Sequence, residues 1–180
     1  MVVGAQIIND VSGATADREM VPVIVRTEVG VCVMHMQGTP QTMQDAPRYG
    51  KVTDEILDYL GGRRDALTAA GVAADRICLD PGIGFGKTHQ HNLTLLRDCA
   101  RMHRLGCPLL IGHSRKATIA WVLGEQRADR TAATIGVALA LAREGVQILR
   151  VHDVRPVRDA WRLFQAVGGC RGIWPDFKRR

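Results

Sequence analysis

The sequence predicts an α/β fold built on parallel β-strands. Five short apolar runs recur along its 180 residues, and each run is followed by a loop and then by a helical pattern of apolar residues. The length suits one domain with a proper core. Because strands that alternate with helices pack as parallel βα units, the pattern is compatible with an open doubly wound sheet or with a barrel.

The predicted strands are residues 5–8, 30–34, 76–79, 107–112 and 146–151. The clearest helix is the last one, where Val157, Ala160, Trp161, Phe164 and Val167 follow helical spacing and Pro156 lies near the start. Segments 52–70 and 91–105 are the next most helical. Residues 131–142 are apolar almost all round, which predicts a helix buried on several sides, within the fold or against a partner subunit.

Composition narrows the class of protein. The net charge is +6, but the arginines are scattered and aromatic residues make up only 4%, which disfavours a nucleic-acid surface and suits small anionic ligands. Five cysteines form no CxxC pair, and their odd number excludes complete intramolecular pairing. We therefore expect reduced thiols in a soluble cytoplasmic protein, without a leader peptide or an apolar run long enough to span a membrane.

The stretch DPGIGFGKT, residues 80–88, resembles a phosphate-binding loop only superficially. A Walker-type loop that ends at Gly86-Lys87-Thr88 needs glycine at the position of Pro81, which has no N–H to donate. A dinucleotide-binding pattern needs its third glycine where Lys87 stands. Neither nucleotide motif therefore fits this stretch.

Polar residues lie at the carboxyl ends of all five predicted strands, at the edge where ligands bind in both candidate architectures. They are Asn9-Asp10, His35-Met36-Gln37, Asp80, Ser114-Arg115-Lys116 and Arg150-Val151-His152-Asp153. Taken singly, each has a structural explanation: Asp80 could cap the following loop, Asn9 and Asp10 could be turn residues, and Ser114 could be a helix N-cap. The combination of five such ends favours a ligand site.

The side-chain types at these ends indicate which ligand chemistry they suit. Asp80 can accept two hydrogen bonds in the geometry that an amino-pyrimidinone ring presents, and the Asn9 amide can donate and accept at a ring edge. Arg150 and His152 lie two apart on one strand and so face the same side, where they suit a phosphate group. Five other histidines are predicted to be structural, because their spacing suggests no metal site: His35, His89, His91, His103 and His113.

Five segments resemble dihydropteroate synthase, in order and at suitable spacing. They are residues 7–13, 34–40, 79–87, 111–116 and 148–154, and the resemblance runs from residue 4 to about residue 167. It implies a TIM (β/α)₈ barrel of which this chain matches parallel strands four to eight. We therefore expect a partial barrel, with a pterin-binding domain at residues 1–168 that lacks the first three βα units, and a C-terminal tail at residues 169–180.

The resemblance implies a transferase that condenses 6-hydroxymethyl-7,8-dihydropterin pyrophosphate with 4-aminobenzoate to dihydropteroate and pyrophosphate, with Mg²⁺ as cofactor. It also implies a homodimer formed through the late helices. Two alternatives stay open: a truncated, non-catalytic pterin-binding remnant, and the pterin-binding domain of a corrinoid methyltransferase. Against the second stand residues 114–116 and 150–153, since a methyltransferase releases no pyrophosphate.

The resemblance also implies roles for individual residues. Those that would bind the pterin are Asn9, Met34, Asp80 and Lys116; Gly84 and Phe85 would bind aminobenzoate; Arg150 and His152 would bind pyrophosphate and, with Lys116, would be catalytic. Arg115 would organise the site, and no metal ligand is expected within this chain. Ala117 departs from the pattern, since the family commonly has a serine there. Without the units that precede strand four, we expect a chain that is inactive or poorly folded alone.

Overall fold

The computed structural model describes residues 4–124 and 130–169. Within these residues, five short strands alternate with six α-helices. The strands are β1 (Ile7–Asp10), β2 (Gly30–Met34), β3 (Ile77–Asp80), β4 (Leu110–Ile111) and β5 (Ile148–Leu149). The helices are α1 (Met20–Thr27), α2 (Val52–Ala69), α3 (His89–Arg97), α4 (Ala117–Leu123), α5 (Arg130–Arg143) and α6 (Val154–Ala166).

The five strands are parallel and stand side by side in chain order. β2 pairs with β1 and β3, and β4 pairs with β5. The N–H of Leu79 donates to the carbonyl of Pro108 at 2.9 Å and so joins the two groups. A doubly wound sheet reverses its strand order part-way, whereas a barrel adds each strand on the same side as the one before. The α/β prediction is confirmed, and the strand order favours a partial barrel.

Two strands are shorter than the sequence predicts. The apolar runs 107–112 and 146–151 pair over only two residues each, as β4 and β5. Pro108 contributes to this, because it has no N–H and cannot donate at the start of the β4 ladder. The strand at 30–34 has the predicted bounds.

One predicted helix is broken, and the helix after the first strand contains a proline. Segment 91–105 divides at Asp98 into α3 and a 3₁₀ stretch, Cys99–Leu105. The Asp98 carboxylate accepts a hydrogen bond from Thr53 at 2.9 Å, which ties this junction to α2. In this helix, α1, Pro22 lies in the first turn, where a missing N–H removes no intrahelical bond.

The core lies between the strands and the helices that cover them. β2 and β3 are central and almost completely covered, since Val33 is 0% exposed and Leu79 is 1% exposed. Ile56 of α2, which covers them, is 0% exposed. The outer strands differ, since Ile7 of β1 is 63% exposed and Ile148 of β5 is 38% exposed. The middle of the sheet is thus enclosed, while both edges face solvent.

Helix α5 is less buried within this chain than residues 131–142 predict. Thr134, Ala138 and Leu141 are buried on one side, whereas the face carrying Gly136 and Ala140 is exposed. The prediction of burial on several sides within the fold is therefore wrong for this chain, and burial against a partner stays a prediction.

Four cysteines, Cys32, Cys78, Cys99 and Cys107, are buried free thiols, and Cys170 lies outside the described residues. The predicted tail also lies outside them, apart from Gly169. Across the described ranges, the helices are too short or too polar to cross a bilayer.

Candidate active site

The carboxyl edge of the sheet brings together residues that are far apart in sequence. One Arg150 guanidinium N–H donates to Asn9 Oδ1 at 2.9 Å, across 141 positions of the chain. The other terminal nitrogen, Nη2, lies 3.6 Å from Asp80 Oδ2. The ends of β1, β3 and β5 thus meet in one polar cluster, as the sequence predicts.

Asp80 is the most deeply buried member of this cluster, at 1% exposure. Its Oδ1 accepts a hydrogen bond from the N–H of Gly82 at 2.8 Å. Its Oδ2 is buried and has no hydrogen-bond partner among the described residues. Burial raises the pKa of this carboxyl, and the Gly82 N–H and the Arg150 charge partly oppose that rise. A ligand that donates an N–H to Oδ2 would satisfy the acceptor and favour the ionised form.

Lys116 lies beside the glycine loop, defined here as residues 82–87. Its Nζ stands 4.4 Å from the centre of the Phe85 ring, within the range of a cation–π contact. Gly84, with φ +81°, leaves room for this lysine, because a Cβ there would lie 3.1 Å from Lys116 Cδ. Burial lowers the pKa of Lys116, and the nearby Arg150 charge lowers it further.

The loops after β4 and β5 are joined by two side-chain contacts. Ser114 Oγ lies 3.0 Å from His152 Nδ1, and Arg115 forms an ion pair with Asp153 at 2.7 Å. A shallow cavity between these loops is lined by Gly112, Ser114, Lys116, Arg150, Val151 and His152. With two cationic side chains, a hydroxyl and an imidazole, it suits an anion such as a diphosphate. Ser114 is not a helix N-cap, since that position before α4 is Lys116.

The glycine loop lies directly against the chain that follows β2. Gly82 has φ +71°, and a Cβ at this position would collide with the carbonyl oxygen of His35. A Cβ at Gly86 would lie 2.6 Å from the carbonyl oxygen of Gln37. The loop therefore needs glycine for backbone-to-backbone packing as well as for positive φ.

Lys87 is a functional candidate that the sequence did not reveal. It is 3% exposed, and its Nζ donates to the Phe85 carbonyl at 2.8 Å and lies 3.0 Å from His35 Nδ1. Burial lowers the pKa of Lys87 to about 7. Burial and the Lys87 charge lower the pKa of His35 to about 3, so His35 is neutral at neutral pH and can accept this bond. The only sequence signal for this lysine is its place in a nucleotide motif that does not fit.

The remaining predicted residues occupy different depths of the site. Gly84 and Phe85 are half-buried, and His152 is exposed. Met34 is 0% exposed, so contact with a ligand ring requires a covering group to move. Asp10 proves to be a turn residue, because its carboxylate accepts from the N–H and hydroxyl of Ser12.

In the described parts of the chain, no three His, Cys, Asp or Glu side chains converge as metal ligands. The groups that line the diphosphate-sized cavity are mainly cations and donors. The residues present therefore do not fit a protein-held Mg²⁺ ion.

Comparison with known proteins connects this geometry to one family. A sequence profile described as "Pterin binding enzyme" matches residues 1–152. The dihydropteroate synthase of Neisseria meningitidis serogroup B is 46% identical over 170 residues, which are 92% of this chain. Thermus thermophilus dihydropteroate synthase, solved in complex with 6HMPPP, is similar with a TM-score of 0.85 at 40% identity over 91% of this chain. The Xanthomonas albilineans enzyme, solved with 4-aminobenzoic acid, is similar with a TM-score of 0.83 at 37% identity, also over 91% of this chain.

The match covers much less of the relatives than of this chain. The chain spans 59% of the N. meningitidis protein and 65% and 58% of the two solved chains. Those relatives are TIM barrels, and the chain-order parallel strands of this protein correspond to part of one.

Proposed function

Because this chain belongs to the pterin binding enzyme family, we propose that it functions as a dihydropteroate synthase. The reaction condenses 6-hydroxymethyl-7,8-dihydropterin pyrophosphate with 4-aminobenzoate, giving dihydropteroate and pyrophosphate. The observation that carries the proposal is the buried Asp80 carboxylate, whose Oδ2 lacks a hydrogen-bond partner among the described residues. A buried acceptor of this kind is unfavourable until a donor reaches it.

Asp80, Asn9 and Lys116 are proposed to bind the pterin ring. The ring presents adjacent N–H groups that can donate hydrogen bonds to a carboxylate, and among the described residues Asp80 Oδ2 is free to accept them. Arg150 donates to Asn9 Oδ1 at 2.9 Å and so uses one of the two acceptor positions of that oxygen. A ring N–H can use the other position, and Arg150 is proposed to turn toward the diphosphate when the substrate binds. Met34 would form the pocket floor.

Gly84 and Phe85 are proposed to bind aminobenzoate. The Phe85 ring offers an aromatic face, which Lys116 covers at 4.4 Å. The glycine lets the backbone approach a flat ligand closely. Ala117, exposed at the start of α4, offers no hydroxyl to the substrate carboxylate.

Arg150 and His152, with Ser114, are proposed to hold the departing pyrophosphate. The methylene C–O bond breaks and pyrophosphate leaves with the electron pair, after which the aromatic amine forms the C–N bond and releases one proton to solvent. Cationic side chains stabilise the charge that develops on the leaving group. Arg150 and Lys116 can do so without acting as proton donors, and the His152 imidazole can donate a hydrogen bond to a diphosphate oxygen.

Mg²⁺ is proposed to bind together with the diphosphate substrate, since no three His, Cys, Asp or Glu side chains of the described residues converge to hold it.

A cytoplasmic location is supported by four buried free thiols, which are typical of reducing compartments. A homodimer is supported by the exposed small-residue face of α5, which allows close helix approach. Sedimentation of the purified chain would test the last proposal.

The test is aminobenzoate-dependent pyrophosphate release by the purified chain, measured beside calorimetric pterin binding. Asp80→Ala should weaken pterin binding by about tenfold to a hundredfold, because a hydrogen bond to a charged group contributes about 1.5–3 kcal/mol. Asp75→Ala, at an exposed turn, is the matched control. Pterin binding without release would favour a non-catalytic pterin-binding protein, and the absence of both would overturn the proposal.

A further inference from the structure

Asn92 connects three parts of the proposed site without reaching the ligand pocket itself. It lies in the first half of α3 and is 2% exposed. Its Oδ1 accepts from the N–H of Gly84 at 2.7 Å. Its Nδ2 donates to the carbonyl of Thr88 at 2.9 Å and to Thr118 Oγ at 3.2 Å. All the strong hydrogen-bonding capacity of this amide is thus used between the glycine loop, α3 and α4.

The two outer partners of Asn92 flank the aromatic wall and the lysine. Gly84 precedes Phe85, and Thr118 follows Lys116 by two residues. Lys116 in turn lies over the Phe85 ring and against Gly84. A shift of the Asn92 amide would therefore change the separation between Phe85 and Lys116, the two groups that would bound the aminobenzoate subsite.

Capping of α3 does not account for this asparagine. The helix start is capped by Thr88, whose Oγ accepts the His91 N–H at 3.1 Å. His91 completes the reciprocal bond to the Thr88 N–H. The capping bonds are thus made by Thr88 and His91, and the bond from the Gly84 N–H to Asn92 serves the loop.

The chemistry of the position requires an amide. Aspartate has the same shape, but its second oxygen would face the Thr88 carbonyl and repel it. Alanine would leave the Gly84 N–H without its acceptor. Thr118 Oγ, which also lies 3.2 Å from His89 Nδ1, would lose its donor in either variant.

We propose that Asn92 is a positioning residue that fixes Phe85 against Lys116 and thereby sets affinity for the aromatic amine substrate. The inference rests on the proposed function of the site. Asn92 would act mainly on the amine subsite, because it makes no hydrogen bond to the pterin ligands Asp80 and Asn9. Lys116 is the one proposed ligand that both subsites share.

The test compares Asn92→Ala, Asn92→Asp and the milder Thr118→Val with Thr94→Val, a control that removes a hydroxyl from the same helix α3. Steady-state kinetics would give KM for each substrate, and calorimetry would give pterin affinity. Asn92→Ala should raise KM for aminobenzoate by about tenfold or more, as misplacement of binding groups does. Pterin affinity should fall by about threefold or less, because Lys116 is the only one of the pterin ligands that is affected. Equal loss for both substrates, or a loss in thermal stability alone, would overturn the inference.

Hydrogen exchange separates failure of this inference from failure of the proposed function. The Gly84 amide should exchange slowly in the wild-type chain and at least about tenfold faster in Asn92→Ala, because its acceptor is gone. If the wild-type chain releases no pyrophosphate but Gly84 protection is lost in the variant, the proposed function fails and the positioning role stands. If Gly84 protection is unchanged, the positioning role fails whatever the activity.

Discussion

The glycine loop after β3 and the segment 150–153 after β5 lie at the same sheet edge but are held in opposite ways. The loop is fixed by backbone packing on His35, by the hydrogen bond from Lys87 to the Phe85 carbonyl and by the hydrogen bond that Asn92 accepts from the Gly84 N–H. Segment 150–153 carries exposed side chains, and that of Arg150 is 42% accessible. A flat ring needs a fixed slot, whereas a charged leaving group needs cations that can follow it. The difference suggests that ring recognition is built into the fold and anion capture is left to exposed side chains.

The largest effect on stability should come from a substitution in the rigid glycine loop. Gly82→Ala places a Cβ against the His35 carbonyl at φ +71°. We expect a loss of about 3–5 kcal/mol in the free energy of unfolding, from backbone strain plus overpacking. Urea denaturation measures it, with Gly62→Ala as the control. Gly62 lies in α2 with open space around it, so alanine there should stabilise by roughly 0.5–1 kcal/mol. Similar effects at both glycines would contradict a rigid loop.

Arg150→Met tests the exposed segment 150–153. Turnover should fall by about a hundredfold, because charge on the leaving group loses its main stabiliser. Pterin affinity should change by less than about fivefold, since Arg150 Nη2 lies 3.6 Å from Asp80 Oδ2, beyond hydrogen-bonding distance, and Arg150 itself is 42% accessible. Single-turnover kinetics and calorimetry separate the two, and Arg143→Met on the exposed side of α5 is the control. Parallel losses of affinity and turnover would show that Arg150 belongs to the ring site instead.

The pH dependence of stability tests how tightly Lys87 is buried in the rigid glycine loop. Burial lowers its pKa from 10.5 to about 7, so the folded chain binds this proton more weakly than the unfolded chain does. Between these values the unfolded chain carries the extra proton, and stability therefore rises with pH. The contribution should be about 2 kcal/mol between pH 7 and pH 9.

In Lys87→Met that rise should disappear, whereas Lys51→Met, at an exposed position, should keep it. Urea unfolding at the two pH values gives the difference, and other titrating groups cancel between variants. An identical rise in all three proteins would mean that Lys87 keeps an ordinary proton affinity in the folded chain.

The parts of the site that could be predicted from sequence are those that lie at the ends of recognisable apolar strand runs. Asp80 and Arg150 follow apolar runs, so the predicted strand ends were enough to place both at the sheet edge. Ser114 was harder, since a serine ahead of a helix usually caps it. Here Arg115 takes a left-handed conformation, φ +57°, and α4 begins only at Ala117, which leaves Ser114 to contact His152.

Lys87 and Asn92 could not be predicted, and the reason is physical. Their partners are the Phe85 carbonyl and the Gly84 N–H, backbone groups that nearly every residue type possesses. Which backbone group a buried polar side chain meets depends on the path of the folded loop. The same limit explains helix α5, whose apolar sequence could not show that one face stays open.

The smallest expected effect is at Ala117, where a side chain could be added to the site at little risk to the fold. Ala117 is exposed at the first position of α4, next to Lys116. Serine is well accepted there, and its hydroxyl could donate to the aminobenzoate carboxylate. One added hydrogen bond contributes about 0.5–1.5 kcal/mol, so Ala117→Ser should lower KM for aminobenzoate by about twofold to tenfold. Pterin affinity should not change, because Asp80 and Asn9 are untouched. A lower KM for aminobenzoate alone would place the amine subsite between Phe85 and the start of α4, whereas an unchanged KM would place it elsewhere along the glycine loop.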